Sequence, residues 1–487
     1  MHTGKLIQIL KTFSPDEVKN FEKFVVYPYF STGRNVEGLY SILKPYYPEF
    51  DSPKLDKKNV FKKLFPGEKF SEMKLKNVTT ALTNLAGRFL AYERFDSDQF
   101  NANYFTAFQF KIRGNEKLLS NSLKLLEKGL EKLPFDSVDL FSKQERTARL
   151  KEEYHYMVSD FPNVFKERDR YAGYFTLSFL IASLRREREK VQIKEAYNIP
   201  LENTLFDSVI DFLDFEKLVG NLKKKKYSMV WMLELYYYCF CFTRDLSDKN
   251  SFEKFKKIFY PNIDKFSRRE KYFFFNDIID FSVRNEHRGN NSYISEEMKV
   301  YKVMMEQDSF TVSKSEYISI ILYRNVMLLS LMLRESDWLV QFMKKYSGKL
   351  KPEYRESMKH FTKASINFEQ GNFELALEDL SKITYDVFFY KSDIKGLLLK
   401  TFYELDLYEQ AFSFINTFRQ YLKTGKLGSS NTIMFQNFLS FYTKLLKAKT
   451  GNKTTSVGKL IDQLNAKKSV YSGNWLMEKL KELNKHQ

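Results

Sequence analysis

What most limits this chain is how seldom it can turn sharply. Its 487 residues include 18 glycines and 11 prolines, about half of the roughly 12 % that these two residues contribute to an average protein. A many-stranded sandwich or barrel needs turn residues roughly every 8–12 positions, so such folds are disfavoured. Hydrophobic residues at 43 % and charged residues at 29 % are ordinary for a folded chain and unlike a disordered tail. The length exceeds what one core accommodates, which points to several cores or to stacked repeats.

The local pattern is helical throughout. Ser14-Pro15-Asp16-Glu17 is a capping box with proline at the first helical position, and Val18, Phe21, Phe24 and Val25 follow on one face. Proline at 28 is expected to end that helix. A second helix runs through Leu39, Ile42 and Leu43 to Pro45. Asp56 is placed to cap Lys57–Phe65, and Ser71 to cap a longer helix through Leu75, Leu82, Phe89 and Leu90. From Asp98 to about Lys314 long amphipathic stretches alternate with breaks at Gly114, Pro134, Pro162 and Pro200, a spacing that suits antiparallel helical hairpins. The polar segment Glu286–Ser292 reads as an exposed loop.

The last third carries a repeat. Ser336-Asp337-Trp338-Leu339-Val340-Gln341 aligns with Gly371-Asn372-Phe373-Glu374-Leu375-Ala376 and with Asp406-Leu407-Tyr408-Glu409-Gln410-Ala411. The aromatics at 338, 373 and 408 recur every 35 residues, as at the turn between two helices of a hairpin. Over about Ser315–Lys423 this resembles the tetratricopeptide repeat (TPR), whose unit is about 34 residues, with Ala364 at the small position of the first helix. The departures are Gln341 for the turn alanine, Leu329 and Leu399 for the small residue, and no proline after Pro352. The expected fold is all-α: antiparallel hairpins stacked as an α-solenoid, because one amphipathic hairpin cannot bury its apolar face alone. Three segments are expected: an N-terminal helical module over 1–97, a hairpin array over 98–314, and TPR-like repeats with a cap over 315–487. The resemblance implies a peptide partner on the face formed by the first helices, which points to Tyr323, Val326, Met358, Phe361, Phe368, Lys400 and Tyr403. The competing reading is that these side chains simply pack against neighbouring hairpins. The paired Lys and Asn of a carboxylate clamp are not matched, since Phe361 and Ser365 stand there.

No residue is nominated as catalytic, cofactor-binding or metal-ligating. Gly451-Asn452-Lys453-Thr454 lacks the glycines of a phosphate loop, and the five histidines show no three- or four-residue pairing. Cys239 and Cys241, the two cysteines, read as buried reduced thiols. The N-terminus lacks a signal-peptide core, and no apolar run reaches a membrane-spanning length. A cytoplasmic location is the expectation.

Charge is the remaining signal. The net balance is +18, carried by 20 arginines and 59 lysines, and lysine is the more solvated and less specifying cation. Leu184–Lys190 alternates sign, as on a salt-bridged helix face. Lys223, Lys224, Lys225 and Lys226 form one run, and Lys444, Lys447, Lys449 and Lys453 belong to a lysine-rich C-terminal segment; both are candidate polyanion contacts. The expected role is a non-enzymatic cytosolic scaffold or adaptor that holds protein partners. The alternative is a nucleic-acid-associated helical protein that uses its lysines.

Overall fold

The computed structural model describes residues 4–27, 29, 34–136, 139–197, 205–227, 229–287, 290, 292–384, 391–423, 429–451, 456–467 and 469–485. Among these residues the protein is all-helical, with 24 α-helices and no strand. The chain divides into two compact units, Met1–Ala182 and Ser183–Gln487.

The first unit begins with α1 (Lys5–Leu10), α2 (Pro15–Val26), α3 (Val36–Leu43), α4 (Lys57–Leu64) and α5 (Glu72–Ser97). The caps form as their sequences dictate. Glu17 donates its backbone N–H to Ser14 Oγ and accepts from the Ser14 N–H, while Asp56 and Ser71 cap α4 and α5. Residues from Leu6 to Phe89 close one hydrophobic core, in which Phe89 meets Phe13, Phe21 and Phe24. The unit continues through α6 (Gln99–Ile112), α7 (Glu116–Glu131), α8 (Asp139–Met157) and α9 (Phe161–Tyr197), inside which the boundary between the units falls. Pro162 sits in the first turn of α9 rather than in a break, a position where no helical N–H is missed. The prolines at 28 and 200 lie outside the described residues.

The second unit contains α10 (Leu205–Asp211), α11 (Phe215–Lys224), α12 (Val230–Arg244), α13 (Lys249–Phe259), α14 (Arg268–His287) and α15 (Ser292–Glu306). It continues with α16 (Ile320–Met332), α17 (Ser336–Tyr346), α18 (Arg355–Glu369), α19 (Phe373–Ser381), α20 (Lys391–Glu404), α21 (Tyr408–Lys423), α22 (Ser429–Lys449), α23 (Val457–Asn465) and α24 (Gly473–Lys485). Consecutive helices pack as pairs, including α12 with α13, α14 with α15, α18 with α19 and α20 with α21. Glu286 lies in α14 instead of an exposed loop.

One turn recurs. Gly114, Ser159, Lys226, Asp308, Arg334, Gly371 and Asp406 all adopt positive φ just past a helix end. At each, the residue's N–H donates to the carbonyl three positions back, and the next N–H donates to the carbonyl five positions before itself, at 2.8–3.3 Å. This left-handed cap satisfies helix-end carbonyls that otherwise have no partner. In five cases the next helix starts two residues later, at Glu116, Phe161, Ser336, Phe373 and Tyr408. The fourth residue of each such helix, Leu119, Val164, Leu339, Ala376 and Ala411, is buried.

This register corrects the repeat alignment. Phe373 and Tyr408 open their helices, each near an aromatic five residues back, Phe368 and Tyr403. Trp338 is the third residue of α17 and stacks on Phe342. Leu339, not the exposed Gln341, is the counterpart of Ala376. The 35-residue interval therefore holds between α18–α19 and α20–α21, and the preceding hairpin is offset by two residues.

The C-terminal helices seat on α20. Tyr442 donates to the Leu399 carbonyl at 2.5 Å, and Trp475 Nε1 donates to Glu404 at 2.7 Å. Gly396 leaves room for the Tyr471 ring, which a Cβ there would meet at 2.4 Å.

Only two of the seven left-handed caps are glycine. A non-glycine residue there carries steric cost, and Arg334 is exposed. Arg334→Gly is therefore expected to stabilise the protein by about 0.5–1 kcal/mol, read as a rise in Tm; an unchanged or lower Tm would contradict the role assigned to this cap.

Candidate functional site

The partner-facing residues expected from the TPR resemblance are placed differently from an open groove. Tyr323, Val326, Met358, Phe361, Phe368, Lys400 and Tyr403 are all buried. Tyr323 packs on Phe342 with ring centroids 5.0 Å apart, and Phe368 packs on Phe373. Tyr403 meets Trp475 and Tyr442 from the C-terminal helices. These aromatics serve the interior, because the neighbouring hairpins cover the first helices on which they stand. Arg324 ties α16 to α20 by a bidentate pair with the buried Asp393, at 2.6 and 2.9 Å.

Lys400 is the unusual member. Its ammonium lies 4.3 Å from the centre of the Phe368 ring, and burial pushes it down to about 8, against the opposing pull of Glu369 and Glu404. A lysine so placed is held by cation–π attraction and its own packed stem, at a cost in desolvation.

The sign-alternating segment at 184–190 forms ion pairs, two of which are buried instead of lying on a solvated face. Arg188 pairs with Asp277 at 2.6 Å, and Arg185 pairs with Glu270 at 3.2 Å. Tyr236 donates to Glu270 at 2.6 Å. Cys239 touches the first pair, donating to Asp277 at 3.4 Å, and burial pushes its thiol well above the usual range. Cys239 is thus buried, while Cys241 is half-buried. The cluster binds α9, α12 and α14 together, and its members are enclosed by them.

The lysine candidates divide. Lys223, Lys224, Lys225 and Lys226 are exposed and close α11, where positive charge complements the helix C-terminus. Lys223 also pairs with Glu234 at 2.5 Å. Lys444 is half-buried, Lys447 and Lys449 are exposed, and Lys453 lies outside the described residues. Lys444 and Lys447 line a groove of about 520 Å³ between α21 and α22, with Arg419, Lys423, Leu422, Gln436, Leu439, Ser440 and Thr443. No carboxylate lines it among the described residues. Arg419 and Lys423 come from α21 and were not apparent as site residues in the sequence.

A second surface was also missed. On α9, Phe161, Phe165 and Phe175 are 52 %, 62 % and 57 % exposed, and exposed Arg168 and Ala172 stand between them, the Arg168 guanidinium 5.9 Å from the Phe165 ring centre. Positions 161, 165, 172 and 175 share one helical face, while Val164 and Leu177 face the interior. Tyr156 of α8 extends the patch edge-on to Phe161, at 6.1 Å. The signal was present as a row of phenylalanines at helical spacing, interrupted by Arg168, which periodicity alone assigns to the core.

No protein family matches the chain, and no curated protein or solved structure is significantly similar to it. Among the described residues no helix is long and apolar enough to cross a membrane, and no group of three or more His, Cys, Asp or Glu residues is placed to hold a metal ion.

Two substitutions test the buried charges. Asp277→Ala strands the Arg188 guanidinium in the interior and is expected to cost about 3–5 kcal/mol, measured by denaturant unfolding; a loss below about 1 kcal/mol would mean that solvent reaches the pair. Lys400 has a lower proton affinity folded than unfolded, where its value is about 10.4. The penalty is complete below pH about 8, where both states are charged, and vanishes above about 10.4, where both are neutral. Stability contributed by this site therefore rises with pH across that window. Lys400→Met is expected to add about 3 kcal/mol at pH 7 and to flatten that rise; a destabilised variant with the pH dependence intact would refute this.

Proposed function

We propose that this protein is a non-enzymatic scaffold or adaptor of the cytoplasm, a stack of helical hairpins that binds protein partners. The aromatic face of α9 is the observation that carries this reading. Three phenylalanines, each more than half exposed, lie along about 21 Å of one helix, and clustered exposed aromatic area marks interaction surfaces rather than ordinary solvated helices. Aromatic anchors supply most of the binding energy in such contacts. An amphipathic helix laid along this face is the binding mode it fits best. The TPR-like hairpins of the second unit are consistent with the same role, as packed framework and not as the groove itself.

The reading is tested with the double variant Phe165→Asp, Phe175→Asp, compared with wild type by in-cell cross-linking and mass spectrometry in the native host. Both positions are exposed, so Tm is expected to remain within a few degrees. The expected result is loss of the cross-links to partner proteins that map to α9. An unchanged set of cross-links in a folded variant would refute the proposal.

A further inference from the structure

The basic groove of the second unit has a composition that selects among anions. Between Glu409 and Asp462 the sequence contains no acidic residue and eight basic ones. Four of these cations converge on one groove, Arg419 and Lys423 from α21 and Lys444 and Lys447 from α22. Arg419 donates to Thr443 Oγ1 at 3.0 Å, and Lys444 reaches Gln463 at 3.4 Å; both contacts are to neutral groups, and among the described residues no carboxylate lines the groove. Four like charges on two facing walls raise the local concentration of any complementary anion.

The rest of the lining separates a peptide from a nucleic acid. Among the described residues no aromatic ring lines the groove, and the Phe441 ring, 5.6 Å from the Lys444 ammonium, is buried, so the lining offers no platform on which a base can stack. Gln436, Ser440 and Thr443 offer amide and hydroxyl groups along it, suited to peptide backbone or side-chain amides. On the same face of α22, one turn before Gln436, Ile433 is 52 % exposed and provides an apolar anchor at the end of the charged stretch. The lining on α22 spans 436 to 447, about 17 Å, the length of a short helical segment or about five extended residues. Phosphate recognition would lean on arginine forks, and only one of the four cations is arginine.

We propose that the groove between α21 and α22 receives an acidic, amphipathic peptide segment of a protein partner, its carboxylates lying between Arg419 and Lys423 on one wall and Lys444 and Lys447 on the other. The groove does not involve α9, so it assigns a second ligand surface and gives its chemistry.

The experiment uses the full-length protein and three fluorescent probes in anisotropy titrations. They are a peptide of about 12 residues with glutamates at helical spacing around leucines, the same peptide with glutamine for glutamate, and an oligouridylate of about 12 nucleotides. The glutamate peptide is expected to bind, the glutamine peptide to bind at least about tenfold more weakly, and affinity to fall between about 50 and 200 mM salt. Lys444→Glu with Lys447→Glu is expected to weaken the glutamate peptide by at least about tenfold. Lys224→Glu with Lys225→Glu, the same charge change at exposed positions at the C-terminal end of α11, is expected to alter it less than about threefold. Lys447→Glu alone, at an exposed site, serves if the double variant does not fold, with loss in the same direction. Equal losses in the two double variants would show only a general charge effect and overturn the proposal. So would tighter binding of the oligouridylate than of the glutamate peptide, which would favour a nucleic-acid surface, or no binding of the glutamate peptide. The cross-linking experiment on α9 reads a different surface, so the two proposals fail independently.

Discussion

Reversing a helix within three residues is the operation on which this structure depends. A chain poor in glycine and proline makes long helices easily, and its difficulty is to end them without stranding carbonyl groups. The left-handed cap solves this by placing one residue at positive φ and directing two N–H groups back into the helix. In the five cases where the following helix starts two residues after that residue, its fourth position falls on the inside of the pair. Leu119, Val164, Leu339, Ala376 and Ala411 occupy it. These five hairpins are thus alike in their turns even where their sequences are not.

Between hairpins, buried charge adds orientation to apolar packing. The pairs Arg188–Asp277, Arg185–Glu270 and Arg324–Asp393 each join helices distant in sequence. Such pairs add little net stability over well-packed apolar residues. Breaking one strands a charge, so they penalise alternative registers of helices whose apolar faces are otherwise interchangeable. Leucine- and phenylalanine-rich interiors tolerate sliding, and a fixed donor–acceptor geometry does not.

What the sequence made legible followed the range of the interactions. The caps at Ser14, Asp56 and Ser71 act within three residues, and each was readable and is present. All-helical character was readable for the same reason. The turn at Arg334 was misplaced because an arginine gives no signal for positive φ, so the alignment followed Trp338 and slipped by two residues. Exposure was harder still. Tyr323, Phe361 and Tyr403 look like a binding face on isolated first helices, and only the packed neighbours turn them into core. Conversely, Phe165 and Phe175 look like core residues until the opposite face of α9 is seen to be the buried one. Lys444 and Lys447 were readable as cations. Arg419 and Lys423 joined them only through the packing of α21 against α22, a long-range pairing that spacing cannot encode.

The tract without carboxylates has an energetic consequence for its own hairpin. Cations gathered with no local counter-charge repel one another, so the α21–α22 pair holds electrostatic tension that ordinary helical pairs neutralise internally. Any anion that settles there releases that tension, and by mass action the occupied hairpin is the firmer one. An occupant of the proposed groove would thereby steady the α21–α22 pair, which the last two helices follow.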